Sequence, residues 1–150
     1  MPEHNPMLHH IEKLTEIGIA LSAERDTHRL LEMIMIGAKT LTNADGGTLY
    51  SVQDNGTVKM EILRTDSLNF AMGGTSDEPI AFDPIPLYDE NERPNHRMVV
   101  TYAVLNDCTV NIPDAYNTHG FDFSGTKQFD SVTGYRSTSF LTVPLKNHDG

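Results

Sequence analysis

The sequence predicts an α+β domain, in which helices and antiparallel strands are segregated along the chain. Two helical periods occupy the first 42 residues, and a hairpin signal at Asp54-Asn55-Gly56 follows them. Later apolar runs are short and are separated by polar, proline-containing stretches. A chain of 150 residues is the size of one domain, so we expect residues 1–150 to form a single domain.

The first helix is predicted from about Pro6 to Ala23, with Asn5 as its cap and the proline in the first turn. Its apolar residues, including Ile11 and Leu14, form a narrow stripe at helical spacing. The stripe either packs on its own domain or forms a seam between two copies in residues 1–23. The second interpretation predicts a homodimer.

The second helix is predicted to follow Asp26, which is suited to cap it, and to carry a broad apolar face as far as Leu41. The hairpin is expected to use a type I′ turn, because Asn-Gly tolerates positive φ. The other predicted elements are strands at Thr48–Val52, Val58–Leu63, Ile80–Phe82, Thr109–Ile112 and Phe140–Leu145, a loop at Met72–Thr75 and a helix at His96–Asn106.

Charge and cysteine content limit the functions available to the chain. Eleven basic and 21 acidic residues give a net charge of -10, which argues against nucleic acid and anionic membranes as partners. A single cysteine, Cys108, excludes an intramolecular disulfide and a multi-thiolate metal site. Because neither a signal peptide nor a membrane-length apolar run is evident, we expect a cytoplasmic location.

The stretch from Asn111 to Leu145 is expected to contain a long polar loop, which one apolar strand enters and a second apolar strand leaves. Loops of this length within a compact domain are uncommon unless they are functional or disordered. This one contains aromatic residues that a solvated linker does not need. We therefore expect it to fold over a small-molecule pocket, which favours sensing over catalysis.

Nine residues of this stretch are candidate ligand contacts. Phe123 or Phe129 is expected to stack on a planar ligand, while Arg136 binds a phosphate or carboxylate. The alternative is structural: Arg136 is paired with an aspartate, and three residues cap turns, namely Asp130, Thr133 and Ser137. The nine candidates are Phe121, Phe123, Ser124, Thr126, Phe129, Asp130, Thr133, Tyr135 and Arg136.

Motifs for catalysis, phosphate loops or metal binding are not found in the sequence. The seven histidines form no ligand pair at metal-binding spacing, and Cys108 is expected to be a buried small hydrophobe. We expect no catalytic residue, no metal and no cofactor in this segment.

Five tracts of the sequence carry a resemblance to a known family: Asp45–Tyr50, Asn111–Tyr116, Phe121, Phe129-Asp130 and Thr133–Asn147. They resemble the GAF domain, which is the small-molecule sensor module of phosphodiesterases, cyclases and bacterial signalling proteins. The tract Phe121–Thr126 is similar to a bacterial subtype found ahead of HD-GYP phosphohydrolase, cyclase or histidine-kinase domains.

The resemblance implies an antiparallel sheet with the N-terminal helices on one face, and a regulatory domain that controls an attached output domain. Its ligand is unidentified, with a cyclic nucleotide as one candidate. GAF domains continue with a further strand and a closing helix, so we expect a truncated C-terminal end after a hairpin turn at His148–Gly150.

Two other functions remain open at this point. One is a ligand-free dimerisation module of the same fold. The other is an enzyme of the free methionine sulfoxide reductase type, which also uses this fold. That chemistry needs several cysteines, and this chain has one.

Overall fold

The computed structural model describes residues 5–147. The chain divides into two compact units. The first contains the residues up to Ser51 together with Met60–Asp83, and the second contains Val52–Lys59 together with the residues from Pro84 onward. Helices and antiparallel strands occur in both, so the predicted α+β class is confirmed.

The first unit contains two long helices and most of a sheet. Both helices begin as predicted, with Asn5 accepting a hydrogen bond from Met7 N at 3.1 Å and Asp26 accepting one from His28 N at 2.9 Å. The elements are α1 (Pro6–Ala23), α2 (Thr27–Thr42), most of β1 (Gly46–Val52) and β2 (Thr57–Thr65), and β3 (Phe70–Gly73).

Helix α1 packs on α2, where Gly37 is buried and a Cβ built on it would lie 3.2 Å from Ile17 Cγ2. No residue of α1 is fully buried. Its apolar stripe instead points largely to solvent, with Met7 72%, Ile11 53% and Leu14 53% exposed. The stripe therefore contributes little to the core of the first unit.

The strands β1, β2 and β3 are neighbours in that order, and β4 (Ile85–Pro86) also pairs with β2. The hairpin between β1 and β2 forms where predicted, but its turn is not type I′, because Gly56 has φ 79° and Asn55 is not among the positive-φ residues. A single left-handed glycine after a turn is the pattern of a three-residue loop with a bulge.

The predicted loop at Met72–Thr75 is partly wrong, since β3 continues to Gly73. Strand β3 runs antiparallel to β2, with Ile62 opposite Gly73. At Gly73 the backbone has φ 68°, and a Cβ would lie 2.0 Å from Glu61 O. Only glycine fits this approach of two backbones.

The second unit has its own apolar core and a two-stranded sheet. Strand β5 (Val110–Ile112) pairs antiparallel with β6 (Phe140–Thr142), and α3 (Val99–Asn106) lies beside β6. The buried core residues are Ala103, Val110, Ile112, Ala115 and Phe123. Cys108 packs against this core as expected, but it is only partly buried.

Several elements differ from the sequence predictions. The predicted strand Ile80–Phe82 is wrong, since these residues lie outside the strands. Helix α3 starts at Val99 rather than at His96, and β6 ends at Thr142, two residues before Pro144, which has no N–H to donate to a ladder. The predicted turn at His148–Gly150 lies outside the described residues.

The largest correction concerns the predicted long loop. It contains a 3-10 helix (Ala115–Asn117) and a ten-residue helix, α4 (Ser124–Thr133). Asp122 accepts a hydrogen bond from Ser124 N at 2.9 Å, and Gly134 ends the helix in the left-handed region with φ 73°. The sequence signals for this mostly polar helix were therefore Asp122, whose side chain bonds to the first helical N–H, and Gly134, which ends the helix.

Candidate functional site

The end of α4 carries a buried carboxylate with three hydrogen bonds. Asp130 is 5% exposed, and its Oδ2 accepts bonds from the Tyr116 hydroxyl at 2.6 Å and from Ser137 N at 2.8 Å. Its Oδ1 accepts a third bond from the Ser137 hydroxyl at 2.7 Å. Asp130 thereby ties the 3-10 helix and the segment after α4 to the same point.

Burial raises the pKa of Asp130, but the hydrogen bonds from Tyr116 and Ser137 favour the charged form more strongly, so its pKa lies below the usual value. The same bond to Asp130 raises the pKa of the Tyr116 phenol. The pair is therefore a neutral phenol donating to a carboxylate at neutral pH.

Two cations lie over the ring of Tyr116. The guanidinium carbon of Arg136 is 3.8 Å from the ring centroid, and Lys127 Nζ is 5.5 Å from it. Cations over an aromatic face are attracted by the ring quadrupole. Because Arg136 and Lys127 are both exposed, this cluster presents positive charge at the surface of the second unit.

The predicted aromatic residues have different roles. Phe123 is 7% exposed, belongs to the core, and stacks on Phe140 with the ring centroids 6.1 Å apart. Phe121 packs partly buried against the same core, edge to face with Tyr102 at 5.4 Å. These two rings therefore stabilise the fold of the second unit.

Phe129 and Tyr135 form an edge-to-face pair, with ring centroids 6.4 Å apart, at the C-terminal end of α4. Thr133 lies between them and donates its hydroxyl to Phe129 O at 2.7 Å. It also accepts a bond from Tyr135 N at 3.3 Å, which is the turn-capping role of the structural alternative.

The nine predicted residues form three groups, of which the first is the core pair Phe121 and Phe123. Ser124 and Thr126 lie in the first turn of α4, whereas Phe129, Asp130 and the residues after them gather at its other end. Thr126 precedes Asp130 by four residues, so these two side chains share one face of the helix, with their Cβ atoms about 5–6 Å apart. A common role of the nine residues in ligand binding stays a prediction.

Sequence reasoning did not select Tyr116 and Lys127 for this cluster. Tyr116 follows Asp114, whose Oδ1 accepts a bond from Tyr116 N at 3.0 Å and whose Oδ2 accepts one from Asn117 Nδ2 at 2.6 Å. These bonds lower the pKa of Asp114, the Asn117 bond most strongly. The Asp-x-Tyr spacing was the available signal for a capped turn that fixes the tyrosine.

Among the surface clefts of the first unit are two that none of the nine predicted residues lines. One, of about 340 Å³, is bordered by Arg29, Glu32, Arg64 and Thr75 among others. Here Glu32, 5% exposed, forms an ion pair with Arg64 and accepts a bond from Thr75 N at 3.2 Å. The other, of about 550 Å³, lies between α1 and α2.

Within residues 5–147, no cluster of three or more histidine, cysteine or acidic side chains is arranged to hold a metal ion. Over the same residues, no helix combines the length and the apolar character that a membrane crossing requires.

Comparison with solved structures shows that the fold is that of GAF domains. The GAF domain of a phosphoenolpyruvate-protein phosphotransferase (ptsP) from Coxiella burnetii superposes with a TM-score of 0.65 and 12% identity, over 96% of this chain and 73% of that one. The GAF domain of the Acinetobacter phosphotransferase gives a TM-score of 0.60 and 15% identity, over 96% and 72% of the two chains. The fold expected from the resemblance is thus confirmed.

Among curated proteins, the chain is 26% identical over 150 residues to a dual 3',5'-cyclic-AMP and -GMP phosphodiesterase 11A from Takifugu rubripes. The alignment includes all of this chain but spans only 15% of the length of that relative. No family model matches the sequence.

Proposed function

We propose that the chain is a regulatory small-molecule-binding module of the GAF type, located in the cytoplasm and attached to an output domain of a signalling protein. The observation that carries the proposal is the likeness to GAF domain structures over 96% of the chain. The similarity to a cyclic-nucleotide phosphodiesterase supports a signalling role, with HD-GYP, cyclase and kinase domains as candidate outputs. The segment itself is proposed to be non-enzymatic.

The proposed ligand is a small anion with a planar group, for which a cyclic nucleotide is the first candidate. Arg136 and Lys127 place two positive charges around the Tyr116 ring, and both are exposed to an incoming phosphate. Guanidinium groups bind phosphate with two parallel hydrogen bonds. The relative's name adds cyclic AMP and cyclic GMP as the nucleotides to test first.

Isothermal titration with cyclic AMP and cyclic GMP tests this proposal. Arg136→Gln should weaken binding about tenfold, because one charge-assisted contact is lost. Arg93→Gln is the matched control, since it removes an exposed arginine from the same unit and should leave affinity unchanged. Absence of binding by both nucleotides, or an equal loss in the two variants, would refute the cyclic-nucleotide assignment.

A ligand-free dimerisation module is the second candidate function, and the exposed stripe of α1 favours it. A stripe with Met7, Ile11 and Leu14 each more than half exposed is suited to pack against a second copy of the helix. The proposed homodimer should sediment as a dimer, and Leu14→Glu should shift it to a monomer, while Thr15→Glu on the same helix should not. A wild-type monomer at high concentration would exclude the dimer.

The reductase alternative receives no support from the structure. Cys108 is the only cysteine of the chain and is partly buried against the core of the second unit. Thiol exchange needs an accessible thiolate and a second thiol.

A further inference from the structure

The cleft between α1 and α2 is a concentration of positive charge in a strongly acidic chain. Its volume of about 550 Å³ is within the roughly 300–1,000 Å³ typical of small-molecule sites. The chain as a whole carries a net charge of -10, yet a single acidic residue lines this cleft. The ionisable groups around it are His9, His10, Lys13, Lys39, Arg64 and Asp66.

Lys39 is the most buried of these cations, with 10% of its side chain exposed. Its ammonium bonds to Asp66 Oδ1 at 2.5 Å, and this is its one side-chain hydrogen bond within residues 5–147. An ammonium has three donors, so two remain for a ligand. The stem of Lys39 lies close to Gly47, where a Cβ would approach it to 3.0 Å.

Arg64 also lines the cleft, and its guanidinium pairs with Glu32, which borders the other cleft of the first unit. On the opposite wall, Lys13 of α1 makes no ion pair with any residue between 5 and 147.

One opposing charge has to be weighed. The C-terminal end of α2 borders the same cleft, and the last carbonyl groups of a helix carry partial negative charge. The Lys39 carbonyl there accepts hydrogen bonds from Asn43 N and, at 3.0 Å, from Ala44 N. These bonds satisfy that carbonyl. Asp66 pairs with Lys39 and Glu32 with Arg64, so the charge of Lys13 leaves the cleft with a net positive charge.

We propose that this cleft is a second binding site, for a small molecule bearing two or more oxyanion groups, either phosphates or carboxylates. The ligand would bridge Lys13 on α1 to Lys39 on α2. Since no residue of α1 is fully buried, such a bridge would add substantially to the contacts that hold α1 on α2. The site is separate from the Tyr116–Arg136 cluster and does not depend on the function proposed for it.

Calorimetric titration of the whole chain with inorganic pyrophosphate tests the site, and a parallel titration with citrate distinguishes phosphate from carboxylate ligands. Lys13→Gln and Lys39→Gln should each weaken binding about tenfold, as expected for loss of one charge-assisted contact. Arg25→Gln is the matched control, because it removes a cation of the first unit that does not line the cleft. It should change affinity less than about twofold.

Hydrogen exchange supplies an independent readout. Pyrophosphate or citrate should slow exchange of the α1 amides in the wild type but not in Lys13→Gln. Lys13 is on the helix surface and does not contribute to the core. Lys13→Gln therefore tests whether the anion binds in the cleft even if Lys39→Gln folds poorly.

Whichever of pyrophosphate and citrate binds more tightly identifies the ligand class, and such binding supports the site. Three results would overturn the proposal of an anion site in this cleft. The first is absence of binding by both anions up to about 10 mM, a range that detects millimolar affinity. The second is an equal loss in Arg25→Gln, and the third is binding without any change in α1 exchange.

Discussion

Replacing Asp130 should destabilise the second unit more than replacing any exposed aspartate. Asp130 accepts three hydrogen bonds of 2.6, 2.8 and 2.7 Å and is 5% exposed. Hydrogen bonds to a charged group contribute about 1.5–3 kcal/mol each, and effects within one network are not additive. Asp130→Ala also leaves Tyr116 and Ser137 without their acceptor, so we expect a loss of about 3–5 kcal/mol.

Asp130→Asn should cost less, about 1–2 kcal/mol, because the bonds survive without the charge. The amide oxygen can take the place of Oδ2 and accept from Tyr116 and from Ser137 N, while the amide nitrogen donates to the Ser137 hydroxyl. The geometry therefore predicts that stability increases from Asp130→Ala to Asp130→Asn to the wild type. Asp77→Asn, in an exposed turn, is the matched control and should stay within about 0.5 kcal/mol.

The pH dependence gives a second test of the same network. Because the folded pKa of Asp130 is lowered, its contribution is complete above the unfolded value of about 3.9 and is lost as pH falls through the folded pKa. The stability difference between wild type and Asp130→Asn should be constant at neutral pH and shrink below about pH 3.9.

Chemical denaturation at a series of pH values measures both effects. A cost below about 1 kcal/mol for Asp130→Ala would contradict the hydrogen-bond argument. A difference that does not depend on pH would contradict the assigned direction of the pKa.

Two further predictions concern the first unit, and both are read by thermal or denaturant unfolding. Gly73→Ala should cost more than about 2 kcal/mol, because its Cβ would lie 2.0 Å from Glu61 O at a φ of 68°. Gly18→Ala, within α1, should instead stabilise the protein by about 0.5–1 kcal/mol, because nothing lies within 4 Å of the new Cβ. Equal stability changes in the two glycine variants would contradict this argument. Glu32→Gln should cost about 2–3 kcal/mol, because Arg64 loses the partner of a largely buried ion pair, and a neutral result would show that solvent already supports that arginine.

The sequence predicted the elements that have strong local signals. The bounds of α1 and the start of α2 followed from Asn5 and Asp26, whose side chains do cap these helices. The hairpin position followed from Asn55-Gly56, although the turn type did not, because the loop has three residues and only Gly56 in it has positive φ. Local chemistry thus located these elements better than it described their conformation.

The candidate site was harder to predict because its residues depend on contacts distant in sequence. Phe123 looks like a ligand-stacking ring in a polar stretch, but it belongs to the same core cluster as Ala103 and Val110 and stacks on Phe140. Helix α4 was missed because its residues are mostly polar, so no apolar period is visible in them. The role of Asp130 requires knowing that Tyr116, 14 residues earlier, comes within 2.6 Å.

Helix α1 connects the two proposals that involve the first unit. One of its faces carries the exposed apolar stripe, and another borders the cationic cleft through Lys13. If an anion in the cleft favours one packing angle of α1, and dimerisation favours the same angle, the two equilibria must be linked reciprocally.

Pyrophosphate should then strengthen self-association by the same factor by which dimerisation strengthens pyrophosphate binding. Leu14→Glu would remove the dimer and this gain in affinity while leaving the intrinsic affinity of the cleft, whereas Lys13→Gln would abolish the anion effect and leave the dimer. Pyrophosphate affinity that does not vary with protein concentration across the dimer transition would show that the two faces of α1 act independently.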